Sequence, residues 1–372
     1  MIKRALYRVC KWIGCFYITR KLTGRGLRVL AYHGFAVGDE IEFLPLLFMD
    51  PDLFRMRMEY LVRNGYPILP LGDAVERLKE GTLPAAATVV TFDDGFDSIR
   101  KLAVPVLRDL GLPGTIYVTT YYCIKGNPIF RLVVEYMFWK TTRTELELGG
   151  LGIGEEGMAH FPDRRLADEV AWKVICGGEG KLDEEQRVRL CAELGRRLDV
   201  DYADIVQRRF LTLMTSEEVR ETSEAGIDIQ LHTHRHVLPR ESDLVHREIE
   251  DNRSILEPLT GYELHHFCYP SGIYHQDHLR PLSEAGVLSG TTCDTGLNYA
   301  GAQPLMLKRF LDGNNVSWIE FEAEMSGFSD LLRMALFRLR RLAGRAPRER
   351  EIQGTERTGA TRDDVRSHGS LG

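Results

Sequence analysis

Short apolar runs alternate along the chain with longer segments in which apolar residues recur at helical spacing. The clearest run is Thr88–Phe92, which is rich in β-formers and is followed by a helical pattern over Ser98–Leu110. Asp50 and Pro51 mark the start of another helix that extends to about Asn64, because Asp is a preferred cap and Pro fits the first turn. The pattern predicts strands at Leu27–Tyr32, Thr88–Phe92, Gly114–Thr119, Ile227–Leu231, His265–Tyr269 and Met306–Phe310.

Strands that alternate with helices are typical of an α/β fold with a mainly parallel sheet, either open or closed into a barrel. The alternation of strands and helices stops between about residues 123 and 215, where strand signals are few and helical segments such as Leu182–Leu198 recur. We interpret this interval as a helical insertion over the sheet, within a main domain that spans residues 27–328.

Both ends of the chain are basic and partly amphipathic. Residues 1–26 place aromatic and aliphatic side chains among cations, and residues 1–28 contain eight Lys or Arg and no Asp or Glu. Residues 329–345 predict a basic amphipathic helix, and the polar residues 346–372 are predicted to be disordered. For the first segment two readings stay open: contact with an anionic membrane surface, or a helix packed on its own domain.

Composition indicates the general class of protein and the cellular compartment. The chain of 372 residues is 44% hydrophobic and 27% charged, as in an ordinary globular protein, and its net charge of −6 gives no reason to expect nucleic acid as a partner. Its seven cysteines are odd in number and widely spaced, which favours a reducing compartment over a disulfide framework. Arg8 and Lys11 interrupt the apolar stretch near the start, so no signal peptide is expected, and no apolar run is long enough to predict a membrane span.

Two adjacent carboxylates, Asp93 and Asp94, directly follow the predicted strand Thr88–Phe92. Removing two neighbouring anions from water is expensive unless a cation or a proton compensates. A single Asp here would suit a helix cap, but two in tandem fit that simpler role poorly. Gly95 then permits a tight turn, so the sequence predicts a functional site at this strand end.

Three histidines, His232, His234 and His236, lie within five residues after the predicted strand Ile227–Leu231, and such clustering indicates a metal site. A helical turn would bring two His four residues apart to one ion, whereas an extended segment would place all three on one face, so the spacing leaves the pair open. One Asp with two His leaves positions for water and substrate, as catalytic zinc favours, and also suits iron, cobalt or nickel. The remaining carboxylate would then act as general base for the water.

The segments Thr91–Gly95 (TFDDG) and His232–His236 (HTHRH) together resemble the polysaccharide deacetylase family, the NodB-homology carbohydrate esterases. The resemblance covers about Leu27–Phe310 without the helical insertion. It implies an α/β fold, a distorted (β/α) barrel with its site at the carboxyl ends of the strands. It also implies that Asp93 is the general base and that one divalent metal, with zinc favoured, is bound. The implied ligands of this metal are Asp94, His232 and His236.

The segment Phe267–Gly272 (FCYPSG) resembles the third motif of the family, but it lacks the Arg that usually pairs with the base. The backbone N–H of Ser271 is a candidate oxyanion donor, and Tyr269 is a candidate substrate contact. Arg309 resembles an Arg of the branch related to poly-N-acetylglucosamine deacetylases. It is the candidate replacement partner for Asp93, and a surface ion pair is the alternative.

The late Leu-x-x-His that usually supplies the general acid of the family is absent after residue 300. In the same branch the acid comes from an early Tyr-His motif, which Tyr32 and His33 match. The resemblance therefore implies that His33 protonates the leaving amine. A His that merely ends a strand is the alternative.

These residues imply a hydrolase that removes N-acetyl groups from an amino sugar in a polysaccharide, oligosaccharide or lipid-linked glycan. A cytoplasmic enzyme held peripherally at the inner membrane face, with a lipid-linked sugar as substrate, would combine this chemistry with the basic ends. Three alternatives remain: an O-deacetylase of an acetylated glycan, a metal-free cyclic amide hydrolase of the same fold, and a catalytically silent carbohydrate-binding protein. Retention of all four expected metal and base positions argues against the last two.

Overall fold

The computed structural model describes residues 2–342. The predicted disordered tail, residues 346–372, lies outside the described residues, as does the end of the predicted helix 329–345. Among the described helices, none combines the length and the apolar character needed to cross a membrane.

The strands of the described residues are β1 Arg28–Tyr32, β2 Gly34–Phe35, β3 Phe48–Met49, β4 Thr88–Phe92, β5 Thr115–Val118, β6 Glu145–Glu147, β7 Met158–His160, β8 Asp228–Leu231, β9 His266–Cys268, β10 Ser289–Thr291 and β11 Phe310–Leu311. Seven of them form one parallel sheet in the order β10-β9-β8-β5-β4-β1-β11. Its two edges meet where Thr291 pairs with Leu307, which leads into β11. The sheet therefore curls on itself, and the predicted distorted (β/α) barrel is confirmed.

The helices of the described residues are α1 Ile2–Trp12, α2 Cys15–Leu22, α3 Glu40–Phe43, α4 Pro51–Arg63, α5 Leu71–Glu80, α6 Val104–Asp109, α7 Thr120–Lys125, α8 Phe130–Lys140, α9 Arg164–Lys181, α10 Glu184–Leu198, α11 Tyr202–Arg208, α12 Ser216–Glu224, α13 Ser242–Thr260, α14 Leu279–Glu284, α15 Trp318–Met325 and α16 Phe328–Leu342. The predicted start of α4 is confirmed, because Asp50 Oδ1 accepts a hydrogen bond from the Leu53 N–H at 2.9 Å. Strands β1 and β4 are buried at every position, as expected for a parallel sheet covered on both faces.

Two predicted elements differ in detail. The helix over Ser98–Leu110 begins as a π-helix, Ile99–Ala103, before it continues as α6. Pro105 lacks the N–H that an α-helical register needs, so the wider turn absorbs the break. The strand predicted at Met306–Phe310 is Phe310–Leu311 instead, because a 3₁₀ turn over Pro304–Met306 delays the extended backbone.

The interval between β5 and β8 contains α7 to α12 and an antiparallel hairpin of β6 and β7, and the sequence pattern did not predict this hairpin. Its buried side chains continue the core of the barrel. Tyr136 of α8 donates to Asp39 Oδ1 at 2.9 Å and packs edge-on against Phe43 of α3. Because this interval leaves the carboxyl end of β5 and contacts the loop beyond β1, it lies at the end of the barrel where those strands finish.

Helices α1, α2, α15 and α16 pack together at the opposite end of the barrel. Tyr7, Phe16, Ile319 and Ala323 form their shared apolar cluster. The buried Arg28, the first residue of β1, donates its Nε–H to the Met325 carbonyl at 2.6 Å. These helices are therefore anchored where β1 begins, one strand length from the carboxyl ends.

Candidate active site

The candidate residues lie together at the carboxyl ends of the parallel strands. Asp93 and Asp94 follow β4, His232 follows β8, and His33 follows β1. Arg309 lies at the amino end of β11, at the edge where the sheet closes, and its long side chain extends to Asp93. Parallel strands end at one side of a sheet, so residues far apart in sequence come to one place.

Asp94, His232 and His236 form the centre of this group. Asp94 Oδ1 lies 3.2 Å from His232 Nε2 and 3.1 Å from His236 Nε2, and the three potential ligand atoms lie within 4.8 Å of one another. The His232 side chain is 2% exposed, whereas that of His236 is 38% exposed. The centre is therefore closed on the His232 side and open to solvent on the His236 side.

Hydrogen bonds decide which histidines face the centre. His232 Nδ1–H donates to the Cys268 carbonyl at 2.8 Å, which leaves Nε2 free to bind a metal. His234 turns away instead, and its Nδ1 lies 2.8 Å from the hydroxyl of Thr120. The pair that the spacing left open is therefore His232 and His236.

Four non-glycine residues around this centre have left-handed backbone conformations. The φ angles are 67° at Asp94, 62° at Thr233, 58° at His236 and 55° at Ser271. Such conformations are uncommon for residues with a Cβ, and they cluster where a structure holds functional groups in place. They turn the chain sharply after β4, β8 and β9. These turns direct side chains from the ends of three separate strands towards one centre.

Asp93 and Arg309 form a buried bidentate ion pair beside Asp94, His232 and His236. Arg309 Nη1 donates to Asp93 Oδ1 at 2.7 Å and Nη2 donates to Oδ2 at 2.8 Å, while Nε donates to the Thr292 carbonyl at 2.9 Å. Burial alone would raise the pKa of Asp93, but the Arg309 guanidinium outweighs it and holds the pKa below its ordinary value. The pairing expected of Arg309 is present, in the interior rather than as a surface ion pair.

Asp94 is also held as an anion. Its burial would raise the pKa, but the His236 and His232 side chains outweigh this and hold the pKa of Asp94 well below its ordinary value. Two ionised carboxylates in a buried site need compensating positive charge. The convergent carboxylate oxygen and two imidazole nitrogens fit one divalent ion, and this donor set suits zinc, iron, cobalt or nickel.

The remaining candidates lie at different distances from the centre. His33 Nε2 is 3.6 Å from Asp93 Oδ2, and its side chain is 19% exposed. Ser271 lies in a 3₁₀ turn, Pro270–Gly272, which follows β9. The Tyr269 side chain is buried against the rings of Phe267 and Tyr274, so its role as a substrate contact stays a prediction.

Helix α13 supplies two supporting residues that the sequence analysis missed. Asn252, which is fully buried, accepts from the His232 N–H at 2.9 Å and donates to the Val118 carbonyl at 3.0 Å. Glu248 Oε2, one helical turn earlier, accepts from the His234 N–H at 3.1 Å. The helix thereby fixes the turn that carries both histidines of the centre. An Asn and a Glu in an amphipathic helix carry no sequence signal for such a role.

Comparison with known proteins agrees with this geometry. A sequence model of the polysaccharide deacetylase family matches residues 199–289, which include β8, β9 and β10 with His232 and His236. Among curated proteins, none matches the chain significantly.

Three solved structures share the fold. The Streptococcus pyogenes deacetylase PplD is 19% identical with a TM-score of 0.53, over 81% of this chain and 98% of that protein. IcaB from Ammonifex degensii is 18% identical with a TM-score of 0.50, over 81% of this chain and 97% of that protein. A de-N-acetylase from Aggregatibacter actinomycetemcomitans is 14% identical with a TM-score of 0.51, over 80% of this chain and 99% of that protein.

The solved structures show that this chain shares the fold of these deacetylases, and the family model adds a sequence match over one part of the chain, residues 199–289. Hydrolase activity of this chain remains a prediction from its sequence. The narrower resemblance to the poly-N-acetylglucosamine branch, with its Tyr-His motif, stays a prediction.

Proposed function

We propose that this protein is a metal-dependent hydrolase that removes N-acetyl groups from an N-acetylated amino sugar. The observation that carries the proposal is the convergence of Asp94, His232 and His236 beside the buried pair of Asp93 and Arg309. One hydrolytic centre needs a metal position, a carboxylate base and a substrate opening, and these residues supply all three next to one another.

Asp94, His232 and His236 would hold one divalent ion, with zinc favoured. When bound, such an ion polarises the acyl carbonyl and lowers the pKa of its water towards about 7. The His236 side is the exposed one, so the acetamide would enter there. The backbone N–H of Ser271, in the turn after β9, would donate to the carbonyl oxygen as negative charge develops on it.

Asp93 would accept the proton of the attacking water. Arg309 binds both carboxylate oxygens, so it keeps Asp93 ionised and fixes its plane, at the expense of some basicity. His33, whose Nε2 lies 3.6 Å from Asp93 Oδ2, would carry the proton that the amine nitrogen needs to leave. Base and acid would then act from adjacent strands, β4 and β1.

The proposed substrate is an N-acetylated amino sugar in a polysaccharide, oligosaccharide or lipid-linked glycan. The proposed location is the cytoplasm, which the seven free cysteines support because thiols persist in a reducing compartment.

The test combines metal content with acetate release from the N-acetylglucosamine pentamer. Elemental analysis of the purified protein should find about one equivalent of a divalent metal per chain. We expect Asp94→Ala and His232→Ala to lose it. His246→Gln, which changes a partly exposed histidine outside the site, is the matched control and should keep both metal and activity.

Asp93→Asn separates base from ligand, because it keeps the shape of the side chain and removes its charge. We expect it to keep the metal and to lower kcat by about 100- to 10,000-fold. A wild-type protein that binds no metal after reloading would refute the proposal. Acetate released only from O-acetylated glycans would replace it by O-deacetylation.

A further inference from the structure

Helices α1, α2 and α16 present an apolar surface that their own domain leaves uncovered. On α1 the residues Leu6, Val9 and Ile13 recur at helical spacing, and they are 50%, 56% and 59% exposed. Tyr7, on another side of the same helix, is buried against Phe328. Helix α1 is thus apolar on two sides, and only one of them packs on the protein. We call the uncovered surface the terminal apolar face; its members are Leu6, Val9, Trp12, Ile13, Tyr17, Ile18, Leu22, Leu336 and Leu339.

The α1 and α2 part of this face belongs to a segment that is rich in cations and has no acidic residue. Residues 1–28 hold eight Lys or Arg and no Asp or Glu, in a chain whose net charge is −6. Lys11 pairs with Glu322 of α15 at 2.6 Å, which ties α1 to the domain. Arg8, Lys21 and Arg25 are exposed. The positive charge is therefore concentrated where the apolar side chains are uncovered.

We propose that the terminal apolar face docks on an anionic phospholipid surface. Its aromatic members Trp12 and Tyr17 are 87% and 65% exposed, and amphipathic rings of this kind favour the boundary between headgroups and acyl chains. Aliphatic side chains would enter that boundary, while Arg8, Lys21 and Arg25 would meet the lipid phosphates.

Two other occupants fit less well. A second copy of the chain would bring one cluster of cations against another, which like-charge repulsion opposes. The segment 343–372 of this chain offers only three large aliphatic residues, Ile352, Val365 and Leu371, so it lacks the apolar side chains to cover the face.

The docking surface and the candidate site lie at opposite ends of the barrel. The terminal helices are anchored where β1 begins, and the site lies where the strands end. A strand of this length spans about 17 Å at ~3.3 Å per residue, so docking would hold the site away from the bilayer surface. The inference does not depend on the proposed reaction, because binding to lipid is measured without substrate.

The test is sedimentation of the full chain with vesicles of phosphatidylcholine, with and without phosphatidylglycerol. We expect binding only to the anionic vesicles, weakened by added salt. The variant Arg8→Gln/Lys21→Gln/Arg25→Gln should bind about 100-fold more weakly, since each cation near such a surface is worth ~1 kcal/mol. Its matched control, Arg77→Gln/Lys79→Gln/Lys173→Gln, removes three exposed cations elsewhere and should bind like the wild type.

The apolar part is tested by Trp12→Glu and Leu22→Glu, against Leu288→Glu as control. Leu288 is 60% exposed and lies outside the terminal helices, so the three variants place the same charge at similarly accessible positions. We expect at least a tenfold loss of binding in the first two only, with thermal melting unchanged in all three. Absence of binding to anionic vesicles, or an equal loss in the controls, would overturn the proposal. A change of oligomeric state in Trp12→Glu with unaltered vesicle binding would assign the face to a second copy and overturn it too.

Discussion

Replacement of Arg309 by Met tests how much the buried ion pair of Arg309 and Asp93 stabilises the folded protein. The guanidinium is 0% exposed and the Asp93 side chain is 3% exposed. Arg309→Met keeps the length and apolar stem of the side chain but leaves an ionised carboxylate without its partner. The Thr292 carbonyl also loses its hydrogen bond from Nε.

The expected loss of stability follows from this burial. Removing one partner of a buried pair costs about 3–5 kcal/mol, because the other charge stays out of water uncompensated. The double variant Arg309→Met/Asp93→Asn removes that charge as well and leaves only an imperfectly bonded amide, at about 1–3 kcal/mol. We therefore expect the double variant to be more stable than the single one.

Urea unfolding of the metal-free protein at neutral pH measures these free energies by linear extrapolation. Arg333→Met is the matched control, because Arg333 also binds a carboxylate with two prongs, at 2.7 and 2.9 Å from Glu324, but is 37% exposed. This pair is only partly buried, so its loss should cost less than the loss of the Arg309 pair; a fully exposed pair is worth about 0–1 kcal/mol. The reasoning is refuted if Arg309→Met costs no more than Arg333→Met, or if the double variant is the less stable of the two.

Two further variants probe a residue that supports the centre and an ion pair at the start of α12. Asn252→Ala should weaken metal binding by about 10- to 100-fold, because the His232 N–H loses its hydrogen-bond acceptor. Titration calorimetry measures the metal affinity, and an unchanged affinity would contradict the prediction. Burial raises the pKa of Glu218, but Arg209 and the Thr215 N–H outweigh it and lower the pKa to about 2 from its ordinary 4.5. A depressed pKa stabilises the protein above the unfolded value and loses that effect as pH falls, so Glu218→Gln should destabilise clearly at about pH 7 and much less near pH 3. A difference in unfolding free energy that is constant with pH would argue against this.

Much of the fold could be predicted from the sequence because buried parallel strands leave a plain signal. Thr88–Phe92 has in the structure the bounds predicted for it, since a β-branched apolar run has few other places to go. Strand β10, Ser289–Thr291, carries no such signal: small polar residues form it because a neighbouring strand and Leu307 bond to its backbone. Strand β10 therefore forms because of its tertiary contacts and not because of the β-propensity of its own residues.

The candidate site was predictable in its residues but not in its geometry. Spacing alone could not choose between His234 and His236, because the choice depends on the left-handed turn at Thr233 and on a hydroxyl from Thr120. Asn252 was out of reach for the same reason, since its contact with the histidine turn exists only once α13 packs on the sheet. Motifs identify the side chains of a site, whereas the bonds that aim them arise from the folded chain.

Closure of the barrel by the segment leading into β11 has a consequence for how the protein folds. Asp93 and Arg309 are separated by 216 residues in the chain, and Arg57 and Asp312, a second fully buried ion pair, by 255. Contacts of such long range are slow to form, because a large loop must close before any interaction rewards it. During synthesis, nearly the whole described chain must be made before Arg309, the counter-charge of Asp93, exists. The proposed hydrolytic activity would then report on the last stage of folding. Premature termination before Arg309 would leave a sheet that is open at one edge and carries an uncompensated anion.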